Sequence, residues 1–148
     1  MASNGTTIKQ FYTTSSPWEA RIGHCRAVRY DRTIYVSGST AADPNSPPEA
    51  PRVLFPTDAK EQTRVTLEEQ LKAIRTMGGR GAESVVRAKI FVSRKEDCQA
   101  VGDGFREVLG RQKGGQIGVA ATMIVVPNGF VDKDMLVEVE LDAIADAE

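Results

Sequence analysis

The chain has 148 residues, of which 41% are hydrophobic, which is enough for one compact core and too short for two comfortable domains. Its 19 Lys plus Arg nearly cancel its 20 Asp plus Glu, giving a formal net charge of -1, so no general positive field favours nucleic acid or anionic membranes as partners. The N-terminal run MASNGTTIKQFYTTSSPW lacks the patterns of a secretory signal and of a transit peptide, which predicts a cytoplasmic protein.

The first 57 residues predict an edge strand, a hairpin and a loop. Residues 1–13 are polar, with a short alternating patch in which Ile8 suits an edge strand. The runs CRAVRY and TIYVSG are joined by Asp31 and Arg32, a length typical of a β-hairpin. The stretch AADPNSPPEAPRVLFP contains five prolines, so residues 43–57 are predicted to form an exposed, substrate-facing loop.

An amphipathic helix and a strand follow this loop. Apolar residues recur at helical spacing from Leu67 to Met77, either Thr57 or Asp58 can cap the start, and two glycines end the run. The next segment, ESVVRAKIFVS, alternates between apolar and mostly charged residues and predicts a strand with one buried face.

A second helix and two more strands complete the predicted elements. Ser93 and Glu96 have the spacing of a capping box, and the apolar pattern after them predicts a helix that ends at Gly110. The longest uncharged stretch, GGQIGVAATMIVVPNGFV, is β-branched in its middle and predicts a buried strand. The last segment, DMLVEVELDAIA, alternates cleanly and predicts a final strand.

This order of elements predicts an α+β domain over residues 1–148, with a mixed six-stranded sheet and two helices on one of its faces. The acidic residues of the last strand, Glu138, Glu140 and Asp142, would then point away from the helices. Unpaired carboxylates cost several kcal/mol each to bury, so that face is expected to meet either water or a wet cleft between subunits.

The chain contains a single histidine, His24, beside one of its two cysteines, Cys25, while Cys98 lies far away. No C-x-x-C pair is present, so the spacing favours two reduced thiols and indicates neither a zinc site nor a redox motif. Neighbouring residues of an extended strand point to opposite faces, which makes His24 and Cys25 a poor metal pair.

Four blocks in order resemble the Rid family of reactive-intermediate deaminases, also called the YjgF family. They are GHCRAVRYDRTIYVSGSTAAD, EQTRVTLEEQLKAI, VVRAKIFVS and MLVEVELDAIA, within a region that covers roughly residues 14–147. The resemblance implies a chorismate-mutase-like α+β fold that assembles as a homotrimer with clefts between neighbouring subunits. It also implies hydrolysis of imines and enamines, small molecules released by pyridoxal-phosphate enzymes among others, without a metal or an organic cofactor.

Part of the family's site is retained in this chain. Glu138 matches the glutamate that holds the attacking water, although Glu140 shares its face and is an open alternative. The backbone of Ser37 and Gly38 corresponds to the cleft wall that contacts the ligand. Trp18 precedes the cleft and is either a cover for the pocket mouth or a core or interface aromatic.

Two positions depart from the family pattern. The deaminases carry an arginine in a Pro-Ala-Arg-Thr-like motif that grips the substrate carboxylate, and here Ala121 replaces it, with Val119 in place of the proline and Thr122 after it. His24 stands where the family has a cleft tyrosine, and Cys25 stands where it has a serine. An imidazole can exchange a proton near neutral pH, which a phenol does not do there.

The departures leave several interpretations open. His24 is either an acid/base of the cleft or a hydrogen-bonded interface residue, and Cys25 is either a small packed neighbour or a reactive thiol. Arg26 and Arg29 are either replacements for the lost arginine or ion-pair partners on a strand.

Three functions are therefore compatible with the sequence. The first is an imine or enamine hydrolase whose substrate is not a simple amino-acid-derived carboxylate. The second uses the same cleft for a tautomerisation, cyclisation or elimination, with His24 moving protons. The third is a ligand-binding trimer without turnover. Ribonuclease activity is disfavoured by the balanced charge and by the lack of an evident basic and aromatic groove.

Overall fold

The structure is a computed structural model that describes residues 8–147. Within that range the chain forms six strands and three α-helices. In chain order they are β1 (Gln10–Tyr12), α1 (Pro17–Ile22), β2 (Ala27–Tyr30), β3 (Thr33–Ser39), α2 (Ala59–Thr76), β4 (Val85–Val92), α3 (Cys98–Leu109), β5 (Ala120–Val125) and β6 (Val137–Ile144).

The strands form one mixed sheet in the order β1-β2-β3-β6-β4-β5, which confirms the predicted α+β architecture. Only the β4–β5 pair is parallel, and the other pairs are antiparallel. The predicted edge strand exists as β1, but Ile8 precedes it and is 77% exposed. The rest of the polar N-terminal patch, residues 1–7, lies outside the described residues.

One face of the sheet is buried against the helices, and the other face is partly exposed. On β6 the apolar residues Val137, Val139 and Leu141 are 0% exposed and belong to the core that α2 and α3 cover. The alternating acidic residues lie on the opposite face, as the sequence predicted, and are half-buried. The same alternation continues on β4, so the acidic residues of β6 lie outside the dry core.

The two long helices begin differently. Asp58 caps α2, because its side chain accepts a hydrogen bond from the Glu61 N–H at 3.0 Å. The predicted capping box of Ser93 and Glu96 is wrong, since a 3₁₀ turn over Lys95–Asp97 intervenes and α3 begins only at Cys98. The Asp97 carboxylate accepts a hydrogen bond from Arg94 Nε at 2.8 Å, so this local pair forms in place of a side-chain cap.

The prediction that the uncharged stretch GGQIGVAATMIVVPNGFV forms a buried strand is also wrong within this chain. All six residues of β5 are exposed, including Met123 at 38% and Ile124 at 49%. The reason is position, because β5 is the last strand of the sheet and pairs only with β4. An apolar strand with one unpaired edge is a surface suited to association with another chain.

The proline-rich segment, residues 43–57, forms no helix or strand, as predicted, but it is internally bonded. Ala42 and Val53 form an isolated bridge, and Leu54 N–H donates to the Ala41 carbonyl at 2.7 Å. Ser46 is buried and its hydroxyl donates to the Asp43 carbonyl at 2.6 Å.

None of the helices within the described range is long and apolar enough to cross a membrane.

A buried glutamine ties α2 to the segment that leads into β6. Gln62 is 0% exposed, its Nε2 donates to the carbonyls of Phe55 and Asp134 at 3.0 and 2.8 Å, and its Oε1 accepts from Leu136 N–H at 2.9 Å. We expect Gln62→Leu to lower the free energy of unfolding by about 2–4 kcal/mol, because it leaves buried backbone groups without partners. Urea denaturation measures this loss.

The control for this experiment is Lys60→Leu, which removes an exposed ion pair with Glu107 from the same helix. Exposed pairs contribute little, so the urea midpoint of this variant should stay near that of the wild type. Equal midpoints for both variants would show that the Gln62 hydrogen bonds do not stabilise the fold.

Candidate active site

A short helix that the sequence analysis missed sets the position of two predicted site residues. Helix α1 has Pro17 in its first turn and ends at Gly23, whose left-handed φ of 87° favours glycine. Trp18 lies near the start of this helix and His24 directly follows its end. The serine-proline start and the glycine stop were the signals in the sequence that could have revealed it.

Helix α1 is fastened to the sheet through a buried carboxylate. Glu19 is 5% exposed and accepts hydrogen bonds from the backbone N–H and the hydroxyl of Thr14. The Arg26 guanidinium lies 3.6 Å from the same carboxylate. Glu19 therefore joins α1, the segment before it and the start of β2, and sequence reasoning had not singled it out.

A bulge in β3 brings the backbone close to Glu138. The pairing of β3 with β6 shifts register between Val36 and Ser39. A Cβ atom built on Gly38 would lie 3.3 Å from both Cδ and Oε2 of Glu138, so the glycine permits this close approach.

The bulge is held by a buried side chain of α2. Gln70 is 0% exposed, and its Nε2 donates to the carbonyls of Val139 and Ser37 at 2.7 and 3.4 Å. The Ser37 hydroxyl in turn donates to the Cys25 carbonyl at 2.7 Å. These bonds fix the backbone beside Glu138 from the core side.

The structure brings together four of the predicted site residues, Trp18, His24, Gly38 and Glu138, in one pocket of about 180 Å³. We call this cavity the site pocket. Its other walls include Glu19 and Arg26, and two apolar residues that are largely exposed, Ile22 at 68% and Val131 at 81%.

Glu138 has a raised pKa in the site pocket. Burial raises the pKa of its carboxyl above the usual range, and the negative charge of Glu140 raises it further. Within the described residues no hydrogen bond or ion pair neutralises Glu138. A carboxylate that holds its proton more tightly than usual and lacks a cation is a stronger base, which suits proton transfer from water.

Two wall residues of the site pocket each have a buried polar atom without a partner within the described range. His24 Nδ1 and Trp18 Nε1 are buried, and neither has a hydrogen-bond partner among the described residues. The Arg21 guanidinium lies over the Trp18 ring at 5.3 Å from its centroid, and the same side chain donates to the Pro48 carbonyl at 3.5 Å. The proline-rich loop thus contacts Arg21, which packs on Trp18, a wall residue of the site pocket.

Other predicted site residues lie outside the site pocket of this chain. Cys25 is half-buried, and its backbone carbonyl accepts the hydrogen bond from the Ser37 hydroxyl. The Ser37 hydroxyl is therefore turned toward that carbonyl. Ala121 and Thr122 lie exposed on the edge strand β5. Glu140 lies 3.7 Å from Lys89 Nζ in an ion pair, which distinguishes it from the unpaired Glu138.

His24 and Cys25 are not strand neighbours, contrary to the expectation from sequence. The two residues precede β2 and lie in the connection from α1, so strand alternation does not apply to them. His24 lines the site pocket and Cys25 does not. Residues 8–147 contain no group of three or more His, Cys, Asp or Glu side chains placed to hold a metal ion.

Comparison with known proteins agrees with this architecture. The sequence model of the family described as Endoribonuclease L-PSP matches residues 14–145. An uncharacterized protein of Streptomyces coelicolor is 31% identical over 130 residues, which are 88% of this chain and 87% of that protein.

Two solved structures share the fold. A member of the YjgF/YER057c/UK114 family from Mycobacterium tuberculosis is 25% identical, with a TM-score of 0.73 over 93% of this chain and 100% of that chain. A Rid-family protein of unknown function from Yersinia pestis is 21% identical, with a TM-score of 0.74 and the same coverage. The chain therefore belongs to the Endoribonuclease L-PSP family, which is also named the YjgF or Rid family.

Proposed function

We propose that this protein hydrolyses imines or enamines that carry no carboxylate beside the reacting carbon. The observation that supports the proposal is the meeting of His24 with a half-buried, unpaired Glu138 in one small pocket. A carboxylate and an imidazole can accept and donate protons, which is what the addition of water to a C=N bond requires.

The proposed reaction needs no group beyond these side chains and a water molecule. Glu138 accepts a proton from water as the water oxygen bonds to the imine carbon, and the imine nitrogen takes a proton from His24. In the resulting carbinolamine the protonated Glu138 gives its proton to the amine nitrogen and His24 takes the hydroxyl proton as the C–N bond breaks, which gives a carbonyl compound and an amine or ammonia and returns both side chains to their starting states. An enamine takes the His24 proton on its carbon to give an iminium ion, which water attacks with Glu138 as the base to reach the same carbinolamine.

Substrate choice follows from the cations that the site pocket lacks. Ala121 offers no charge at the position where the family's deaminases place an arginine. Arg26 lines the site pocket, but its guanidinium is held by Glu19 at 3.6 Å. A substrate carboxylate would therefore lie near the negative charge of Glu138 without a free partner.

We further propose a homotrimer in which β5 of one copy borders the site pocket of the next. The exposed apolar residues of β5 and the exposed Ile22 and Val131 at the site pocket are the surfaces that support this arrangement. Ala121 and Thr122 would then approach the substrate from the neighbouring subunit.

The description of the family as an endoribonuclease names the second candidate. RNA cleavage also uses an acid and a base, but it binds phosphates through free cations. The net charge of -1 and the Glu19–Arg26 pair argue against strong phosphate binding. Cleavage of a fluorescent single-stranded RNA that is lost in Glu138→Gln would favour the nuclease over the hydrolase.

The test compares two imines that differ only in a carboxylate. 2-Iminobutyrate is generated in situ by a threonine dehydratase, and propan-1-imine is generated from propylamine by an amine oxidase. We expect kcat/KM for propan-1-imine to exceed that for 2-iminobutyrate by about 10- to 100-fold, because the carboxylate finds no charged partner. Release of propanal and of 2-oxobutyrate, each corrected for the rate in buffer, gives the two values.

Ala121→Arg is the matched variant. It should reverse the preference by returning a guanidinium to the cleft from the neighbouring subunit. A wild-type protein that prefers 2-iminobutyrate would contradict the argument from the missing arginine. Acceleration of neither imine would contradict the hydrolase and leave the other two candidates, a different reaction in the same cleft and ligand binding without turnover.

A further inference from the structure

A second cavity of about 550 Å³ adjoins the site pocket. The two cavities share four wall residues, Ser16, Arg26, Thr40 and Ala42. The second cavity lies between the segment before α1, the proline-rich loop and α2. We call it the side compartment.

The sizes of the two cavities suit different parts of a molecule. Small-molecule sites usually occupy about 300–1,000 Å³, and the side compartment falls in that range whereas the site pocket, at about 180 Å³, lies below it. The site pocket thus has room for the reacting group and little more. The remainder of a larger substrate needs an adjoining space, and the shared walls mark where it would continue.

The walls of the side compartment are apolar in its interior and charged at α2. Tyr12, Leu54 and Val65 are half-buried and line it. Glu68, Glu69 and Lys72 are exposed on α2 and leave one excess negative charge, since two carboxylates face one ammonium. The Arg26 side chain is 12% exposed and its charge is offset by Glu19, so it does not reverse this balance.

We propose that the side compartment binds a neutral, apolar substituent of the substrate while the imine reacts in the site pocket. The inference rests on the proposed function only for the imine or enamine end of the substrate. Binding of an apolar group in the side compartment requires no turnover. The substrate class becomes an imine or enamine with an uncharged alkyl or aryl substituent. A carboxylate at the end of that substituent is disfavoured by the two glutamates.

The kinetic test uses imines made in situ from propylamine, pentylamine and heptylamine by an amine oxidase. In wild-type protein kcat/KM should rise about three- to fourfold for each added methylene until the side compartment is full. Val65→Phe narrows the compartment without touching the site pocket, so it should abolish the rise and keep turnover of propan-1-imine. Val86→Phe, the same change at an exposed position of β4, should keep the rise.

Calorimetric titration with 1-hexanol and hexanoate tests binding without turnover. We expect 1-hexanol to bind wild type and Val86→Phe, to bind Val65→Phe at least tenfold more weakly, and to bind more tightly than hexanoate. Replacing both Glu68 and Glu69 with glutamine should narrow the gap between 1-hexanol and hexanoate.

The outcomes separate the two proposals. Turnover of no imine together with binding of 1-hexanol that depends on Val65 would overturn the hydrolase and support the side compartment. Turnover that is equal for all three chain lengths in wild type, or no binding of 1-hexanol, would overturn the side compartment. Tighter binding of hexanoate than of 1-hexanol would overturn the preference for a neutral substituent.

Discussion

Replacing Glu138 with glutamine is expected to lower kcat/KM for neutral imines by roughly 10²- to 10⁴-fold, the usual contribution of a general acid or base. The glutamine keeps the size and shape of the side chain beside Gly38 but cannot accept the proton of the attacking water. Release of propanal from propan-1-imine measures the effect.

The same substitution should leave the protein more stable at neutral pH. Burial and Glu140 raise the folded-state pKa of Glu138. Protonation of this carboxyl therefore stabilises the fold at a pH below the ordinary pKa of a glutamate. That contribution is lost as the pH rises through the raised pKa, so the ionised carboxylate destabilises the fold at neutral pH. The melting temperature of Glu138→Gln should therefore exceed that of wild type at pH 7, and the gap should close toward acid pH.

Glu140→Gln is the matched control for this prediction. Glu140 lies outside the site pocket and raises the pKa of Glu138, so its removal should move the acid limb of the pH–rate profile to lower pH and keep most of the activity at neutral pH. Full activity in Glu138→Gln, or equal losses in both variants, would mean that Glu138 is not the base.

Replacing His24 with phenylalanine is expected to lower kcat/KM by about 10²-fold, because no other histidine in the chain can deliver a proton to the imine nitrogen. The buried Nδ1 of His24 has no partner among the described residues, so its loss should not lower the melting temperature.

Cys25→Ala is the companion variant for His24. Cys25 contributes its backbone carbonyl to the bond with Ser37, and its side chain does not line the site pocket. The alanine variant should therefore react within about threefold of wild type. If the phenylalanine variant is as active as wild type at every pH, His24 has no part in the chemistry.

Residue patterns predicted the parts of the fold that depend on local alternation. The period of two in β6 placed Val137 and Val139 in the core and Glu138 on the other face, and the burial of each agrees. The hairpin around Asp31 and the helix capped at Asp58 also follow from signals within a few residues. Such elements are fixed by short-range chemistry, which a single sequence contains.

Features that depend on distant contacts could not be predicted in this way. The exposure of β5 follows from its place at the edge of the sheet, which its own β-branched residues do not reveal. Glu138 and Glu140 differ because Lys89 on β4 pairs with one of them, and sequence spacing treats them alike. The side compartment requires α2, the proline-rich loop and the segment before α1 to meet, and no pattern within any one of them indicates this.

The most direct test of the account is a double-mutant cycle on propan-1-imine at neutral pH with wild type, Glu138→Gln, His24→Phe and the double variant. If both groups act in one step, kcat/KM of the double variant should be about as low as that of the slower single variant. The wild-type kcat/KM should exceed that of the double variant by at least about 10²-fold. A wild-type rate of propanal release no greater than that of the folded double variant would contradict hydrolysis in the pocket of His24 and Glu138.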